Sequence, residues 1–189
     1  SKINAVRLIN VNYNNNAYRI SDETLHFNGE STLISLQNGG GKSVLVQMLT
    51  APFVHPRYRN TKDRLFESYF TTNKPSFILV EWALDQGAGY VLTGLMVRKS
   101  QDMEEDRKEN LDIIGIVSEY QSPCIQDIYH LPVVEKGKKE MILKNFNSCR
   151  QLFETYKKDR DMKFFYYDLT NYAQSRQYFD KLMEYQINY

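Results

Sequence analysis

A chain of 189 residues, 42% apolar and 25% charged, carries enough apolar material for one packed domain and too little length for two large ones. Lys plus Arg exceed Asp plus Glu by one, 24 against 23, so no global field marks a nucleic-acid binder, and the composition is not that of a disordered segment. Cys124 and Cys149 form no C-x-x-C pair, His26, His55 and His130 are dispersed, and no apolar run approaches the roughly 18 residues of a membrane span. Free thiols, a cytoplasmic location and no membrane partner are the expectation.

Residues 5–11 read as a first strand, and the polar tract 12–16 is turn chemistry. Residues 18–20 and 25–27 read as two short strands, the second ending at the turn signal Asn28-Gly29. Residues 32–36 form a short apolar strand that enters Asn38-Gly39-Gly40-Gly41-Lys42-Ser43, and Val44 opens a second apolar run at helical spacing that stops near Pro52. Strand, glycine loop and helix in that order are the pattern of a phosphate-binding loop. The glycines let backbone N–H groups approach an anion, Lys42 would reach the β and γ phosphates, and the Ser43 hydroxyl would ligate Mg²⁺. The full pattern G-x-x-x-x-G-K-[ST] has Gly where this chain has Leu36, so the entry to the loop is unorthodox. A flexible hairpin turn with a surface Lys is the alternative reading.

Residues 55–64 are basic and irregular, and residues 62–69 read as a short helix. Residues 76–84 and 90–98 are the strongest strand pair, joined by the glycine-containing loop 85–89, with Trp82 read as core. The charged stretch 100–110 reads as a solvated loop, and 113–117 as a strand. Residues 128–134 and 140–143 are expected to pair around the basic turn Lys136-Gly137-Lys138-Lys139, whose bland reading is an exposed hairpin tip. A helix over 147–158 presents Cys149, Leu152, Phe153 and Tyr156 on one side. A strand over 162–167 follows, and a final helix over 171–189 has Tyr172, Tyr178, Phe179, Leu182, Met183 and Ile187 as its apolar stripe.

A complete P-loop ATPase also needs a metal-holding Asp at the end of an apolar strand and a group that orients water. Glu81 and Asp168 are the nearest candidates; Glu81 reads as an exposed strand residue, Asp168 sits on an aromatic strand, and neither is assigned. Asn73-Lys74-Pro75 begins like a guanine-recognition motif, but Ser76 stands where Asp is required.

The N-terminal strand over 2–10, the strand pair after it and Leu33-Ile34-Ser35-Leu36-Gln37-Asn38-Gly39-Gly40-Gly41-Lys42-Ser43 resemble the N-terminal half of ABC-type ATPase heads. These are the heads of SMC, RecF and RecN proteins, and the MukB-like and Wadjet-type condensin relatives are the most similar. The resemblance covers residues 2 to about 100, with the remainder similar by architecture. It implies an α/β P-loop (ABC-type) head lobe spanning 1–189, with an antiparallel β-hairpin subdomain and C-terminal helices, ending before a coiled coil. It implies ATP and Mg²⁺ as cofactors, held by Asn38, Gly39, Gly40, Gly41, Lys42, Ser43 and Val44, with Ser43 on the metal. Arg59, in the stretch Tyr58-Arg59-Asn60-Thr61, would sense γ-phosphate or DNA. The implied partners are the C-terminal half of the same head, a second head in a homodimer, DNA in the longer protein and accessory subunits. The signature motif and Walker-B Asp would come from elsewhere, leaving this lobe little hydrolytic activity alone, at a nucleoid-associated location. A small stand-alone P-loop kinase and a non-catalytic interaction domain with a degenerate loop are the competing readings.

Overall fold

The computed structural model describes residues 1–13, 18–27, 47–56, 59–60, 65–101 and 109–187. Long runs of alternating apolar residues pair into one six-stranded sheet, built from β1 (Lys2–Tyr13), β2 (Tyr18–His26), β3 (Ser76–Ala83), β4 (Tyr90–Lys99), β5 (Leu111–Tyr120) and a last strand that arrives later in the chain. Between them lie a small hairpin of β6 (Val134–Lys136) and β7 (Met141–Leu143), then the helix α1 (Phe146–Lys158). The strand β8 (Lys163–Asp168) and the helix α2 (Tyr172–Glu184) complete the order. In space the strands run β2-β1-β3-β4-β5-β8, and every neighbouring pair is antiparallel. The molecule is therefore mixed α/β with an antiparallel sheet, the coarse class that the sequence predicts.

Both faces of the sheet are covered, because successive side chains on a strand point to opposite sides. Val6, Leu8, Ile78, Val80, Val91, Leu95, Val97, Ile113 and Val117 pack with Met48, Leu49, Phe53, Phe66, Tyr69, Tyr178 and Leu182. This layer holds the helical residues 47–50, the tight 3₁₀ turn Phe66–Tyr69 and α2. Ala5, Ile9, Phe77, Leu79, Leu92, Met96, Ile114 and Ile116 face the other way, against Ile128, Leu131, Val133 and the α1 residues Phe146, Cys149, Phe153 and Tyr156. Each helix has a side-chain N-cap, Asn145 Oδ1 accepting from Ser148 N at 2.8 Å and Asn171 Oδ1 from Gln174 N at 3.0 Å. The Arg98 guanidinium bonds Asp112 across β4 and β5 and lies 4.0 Å from the Phe146 ring centroid, fixing the start of α1.

Several expectations change in detail. Residues 18–26 form one strand rather than two, since the β1 ladder runs from Ala5↔His26 to Tyr13↔Tyr18 and skips only the Asn10 position. Asn10 interrupts that ladder at a left-handed φ of 55°, and across it the two-residue alternation breaks: Val11 packs with Val6 and Leu8, not with Ile9. The Asn10 amide donates to Pro75 O at 3.2 Å, and Ser76 Oγ donates back to Asn10 O.

Residues 128–133 are not a strand. The buried Asp127 carboxylate accepts from the backbone N–H groups of Cys124, Tyr129 and His130, at 2.9, 2.8 and 2.7 Å, and winds the chain into a compact turn. Ile128, Leu131 and Val133 are apolar because that turn plugs the sheet, not because they belong to it. Glu81, expected to be exposed, is 3% exposed, held by Asn4 Nδ2 at 2.7 Å and by the Tyr120 hydroxyl. The last helix ends at Glu184 rather than Tyr189, and the helix expected over 62–69 is described only as the 3₁₀ turn at its end.

Candidate functional site

Of the residues expected to contact nucleotide, Asn38, Gly39, Gly40, Gly41, Lys42, Ser43 and Val44 lie outside the described residues, as does Leu36. Arg59 is described, together with the helical residues 47–50 that follow the loop in sequence. These meet in one buried cluster on the sheet layer that α2 also covers.

The cluster's bonds join four separate stretches of chain. Gln47 donates from Nε2 to Arg59 O at 2.7 Å, and its Oε1 accepts from the Tyr69 hydroxyl at 2.6 Å. Arg59 donates from Nε to Ala51 O at 3.1 Å, which satisfies one of the carbonyls that a helix end leaves without a partner. Its Cζ stands 5.7 Å from the Phe66 ring centroid. Asn60 Oδ1 accepts from Phe66 N at 2.8 Å and sets the start of the 3₁₀ turn. From α2, the Tyr178 hydroxyl donates to Pro52 O. The segment after the helical residues is thus fixed by side chains from 47, 59, 69 and 178, all buried.

Arg59 is 2% exposed, and its Nη2 has no acceptor among the described residues. Burial pulls the guanidinium below its ordinary value, opposed by the negative field of Glu109 and by the Tyr178 hydroxyl. Burial pushes the Glu109 carboxyl above its ordinary value, against the opposing pull of Arg59, and Glu67 raises it further. Burial likewise raises the Tyr178 phenol. In this arrangement Arg59 works as a strap between the helix end and the 3₁₀ turn, closed to solvent.

The two metal-holding candidates go elsewhere. Glu81 sits between Asn4 and Tyr120, on the sheet face opposite this cluster. Asp168 ends β8, and its carboxylate accepts from Thr170 N at 3.0 Å and Thr170 Oγ1 at 2.7 Å, the bonding of a turn. Among the described residues no group of three His, Cys, Asp or Glu side chains gathers in a way that would hold a metal ion. No described helix is long and apolar enough to cross a membrane.

Sequence reasoning missed Gln47, Asn60, Tyr69, Tyr178 and Glu109 as members of this cluster. Gln47 carried a signal: a polar residue inside the apolar run 44–49 has to find buried partners or interrupt the helix face. Tyr178 carried none, since a Tyr in a helical apolar stripe reads as packing alone. Comparison with protein-family models and with curated proteins returns no match for this chain.

Proposed function

We propose that this chain is an ATP-binding lobe of an SMC-like, ABC-type ATPase head, one half of a composite site that a C-terminal half-head and a second head complete. The observation that carries the reading is the run Asn38-Gly39-Gly40-Gly41-Lys42-Ser43, led by an apolar strand pattern and followed by helical residues at 47–50. The donor set suits a triphosphate with Mg²⁺: three glycines to bring backbone N–H groups to the anion, an ammonium for the β and γ phosphates, and a hydroxyl for the metal. ATP bound there supplies the γ-phosphoryl group and the charge that Mg²⁺ neutralises. The chain's own contribution is to hold and orient: Asn38 to Val44 bind, Ser43 takes the metal, and Arg59, Gln47 and Tyr69 fix the segment that follows.

The antiparallel sheet favours this reading over a stand-alone kinase. A self-contained P-loop enzyme builds its site at the carboxyl ends of parallel strands joined by crossovers. Among the described residues every paired strand is antiparallel, Glu81 is buried between Asn4 and Tyr120, and one Asp168 oxygen is taken by the turn at Thr170. In a composite head, dimerisation gated by ATP would move DNA in the longer protein at the nucleoid, with accessory subunits as further partners.

The test is calorimetric binding of Mg·ATP and Mg·GTP to the wild-type chain and to Lys42→Ala, beside a turnover assay. Weak binding of Mg·ATP, loss of that binding in Lys42→Ala, and turnover near background are expected. Robust turnover by the chain alone would sink the half-head reading in favour of a small kinase or NTPase. Undiminished binding in Lys42→Ala, or none by the wild type, would leave a degenerate loop, with Leu36 as its mark.

A further inference from the structure

We propose that the outer edge of β8, between α1 and α2, is a strand-addition site for a short, acidic, extended segment of a partner protein. β8 is the last strand of the sheet and pairs only with β5 among the described residues. Leu169 N donates inward to Ile113 O at 2.9 Å, so the antiparallel alternation turns the N–H and C=O of Tyr167 and Phe165 toward β5. The groups of Asp168, Tyr166 and Phe164 turn outward. The outward N–H of Asp168 is taken by Gln174 Oε1 at 3.0 Å, and Phe164 is 1% exposed, covered by α1. That leaves Tyr166, with both backbone groups outward, as the centre of the open edge.

The edge is unprotected in the way that natural edge strands avoid. Exposed edges are blunted by charges, prolines or bulges. β2, at the other end of the sheet, carries Arg19, Asp22 and Glu23. β8 instead has an uncharged middle, Phe164-Phe165-Tyr166-Tyr167, with no Pro and no register shift, and its two charges lie at its ends, Lys163 engaged by Glu119 at 2.7 Å and Asp168 by the Thr170 hydroxyl at 2.7 Å. A stretch of this composition on an edge is one that a partner covers.

A cleft of about 330 Å³ sits on this edge, lined by Phe165, Tyr166 and Tyr167 from β8, by Arg150 and Lys157 from α1, and by Gln174 and Gln177 from α2. Since α1 and α2 cover opposite faces of the sheet, a cleft that both line spans the edge. No acid lines the cleft: Glu154 accepts from the Tyr166 hydroxyl and is 3.6 Å from Lys158, and Asp168 at the end of β8 accepts from Thr170 N and Oγ1. Lys157 stands 5.3 Å from the Tyr166 ring centroid and shares the field of Glu154, and the exposed Arg150 interacts with the Tyr166 hydroxyl; among the described residues neither cation is within salt-bridge distance of a carboxylate. Two cations beside an open backbone select an acidic strand. They also disfavour a second copy of this chain, which would bring the same cations against its own.

The experiment uses the whole chain and a short synthetic peptide alternating glutamate and valine, with lysine–valine and backbone N-methylated versions as controls. Anisotropy reads binding, and amide hydrogen exchange by NMR reads where it occurs. The glutamate peptide is expected to bind about tenfold more tightly than the lysine peptide and to slow exchange at Tyr166. N-methylation is expected to abolish binding, and the surface double variant Arg150→Glu, Lys157→Glu to reverse the charge preference. No preferential binding of the glutamate peptide at millimolar concentration overturns the proposal, as does protection at β2 instead of β8. Concentration-dependent protection of Tyr166 with no peptide present would assign the edge to a second copy and overturn it too.

Discussion

Tyr178 joins parts of the chain that lie 126 positions apart, its hydroxyl donating to Pro52 O while its ring lies in the sheet layer. Pro52 has no N–H and follows the helical residues 47–50, so its carbonyl is a group that the local backbone leaves without a helical partner. Removing the hydroxyl strands that acceptor in a site closed to water. Tyr178→Phe is therefore expected to lower stability by about 1–2 kcal/mol. Urea unfolding should show a lower midpoint at unchanged slope. An unchanged midpoint would mean that the bond contributes nothing net. Arg59 illustrates why such residues are hard to read in sequence. Its neighbours, His55 to Arg64, are polar and basic, so the composition reads as a solvated loop, yet Arg59 is enclosed by Gln47, Ala51, Phe66 and the field of Glu109. Those contacts arise from long-range packing, and nothing in the local sequence announces them. The loop Asn38 to Ser43 is the reverse case, legible in sequence through its residue types and outside the described residues of the structure.

At the scale of elements, α2 docks through a socket rather than a groove. Gly115 lies in the middle of β5, where a glycine weakens a strand unless something else needs the space. A Cβ there would meet Tyr178 Cδ1 at 2.7 Å and Cε1 at 2.8 Å, so the aromatic ring occupies the volume of the missing side chain. Gly115→Ala is expected to cost about 1–3 kcal/mol through overpacking, with the strain borne by α2. Hydrogen exchange across α2 should accelerate before that of α1, which covers the other face; equal acceleration in both helices would show that the loss is global. The strands and helices whose pattern needed no tertiary information were legible. β3 and β4 match the expected 76–84 and 90–98 to within a residue, and α1 matches 147–158. Residues 128–133 were not, because a turn that plugs a sheet has the apolar content of a strand, and only the Asp127 bonds distinguish the two. Glu81 was misread for a related reason. A carboxylate in an alternating strand reads as the solvent face, whereas here the second face is also covered and the carboxylate is paired with Asn4 and Tyr120.

The whole molecule is rich in tyrosine, 14 in all, and the fold buries several of them on both sheet layers. Burial raises the phenols of Tyr120, Tyr178 and Tyr185 above their ordinary 10.0 and pushes Tyr167 up to about 12. Tyr120 is raised further by its bond to the Glu81 carboxylate, since ionisation would put two negative charges together. Burial also pushes the Cys149 thiol from 9.0 up to about 12. The sign follows from the proton balance. Below the ordinary values both states keep these protons, and stability is unaffected. Above them the unfolded chain ionises while the native one does not, so stability falls as pH rises. The loss begins near pH 9 with Cys149 and deepens above pH 10 with the tyrosines. Each fully buried group lowers stability by about 1.4 kcal/mol per pH unit in its window. Tyr120 and Tyr178, 8% and 0% exposed, together remove roughly 5 kcal/mol over two units, which equals the whole stability of a marginal domain. Cooperative unfolding between about pH 10 and 12 is the expected outcome. Tyrosinate absorbance and far-ultraviolet circular dichroism, followed together, check it. The buried phenols of Tyr120 and Tyr178 should ionise only as the dichroism is lost. Full tyrosine ionisation with the dichroism unchanged would mean that these hydroxyls reach water in the folded chain, and the packing that fixes the segment after the glycine loop would have to be redrawn.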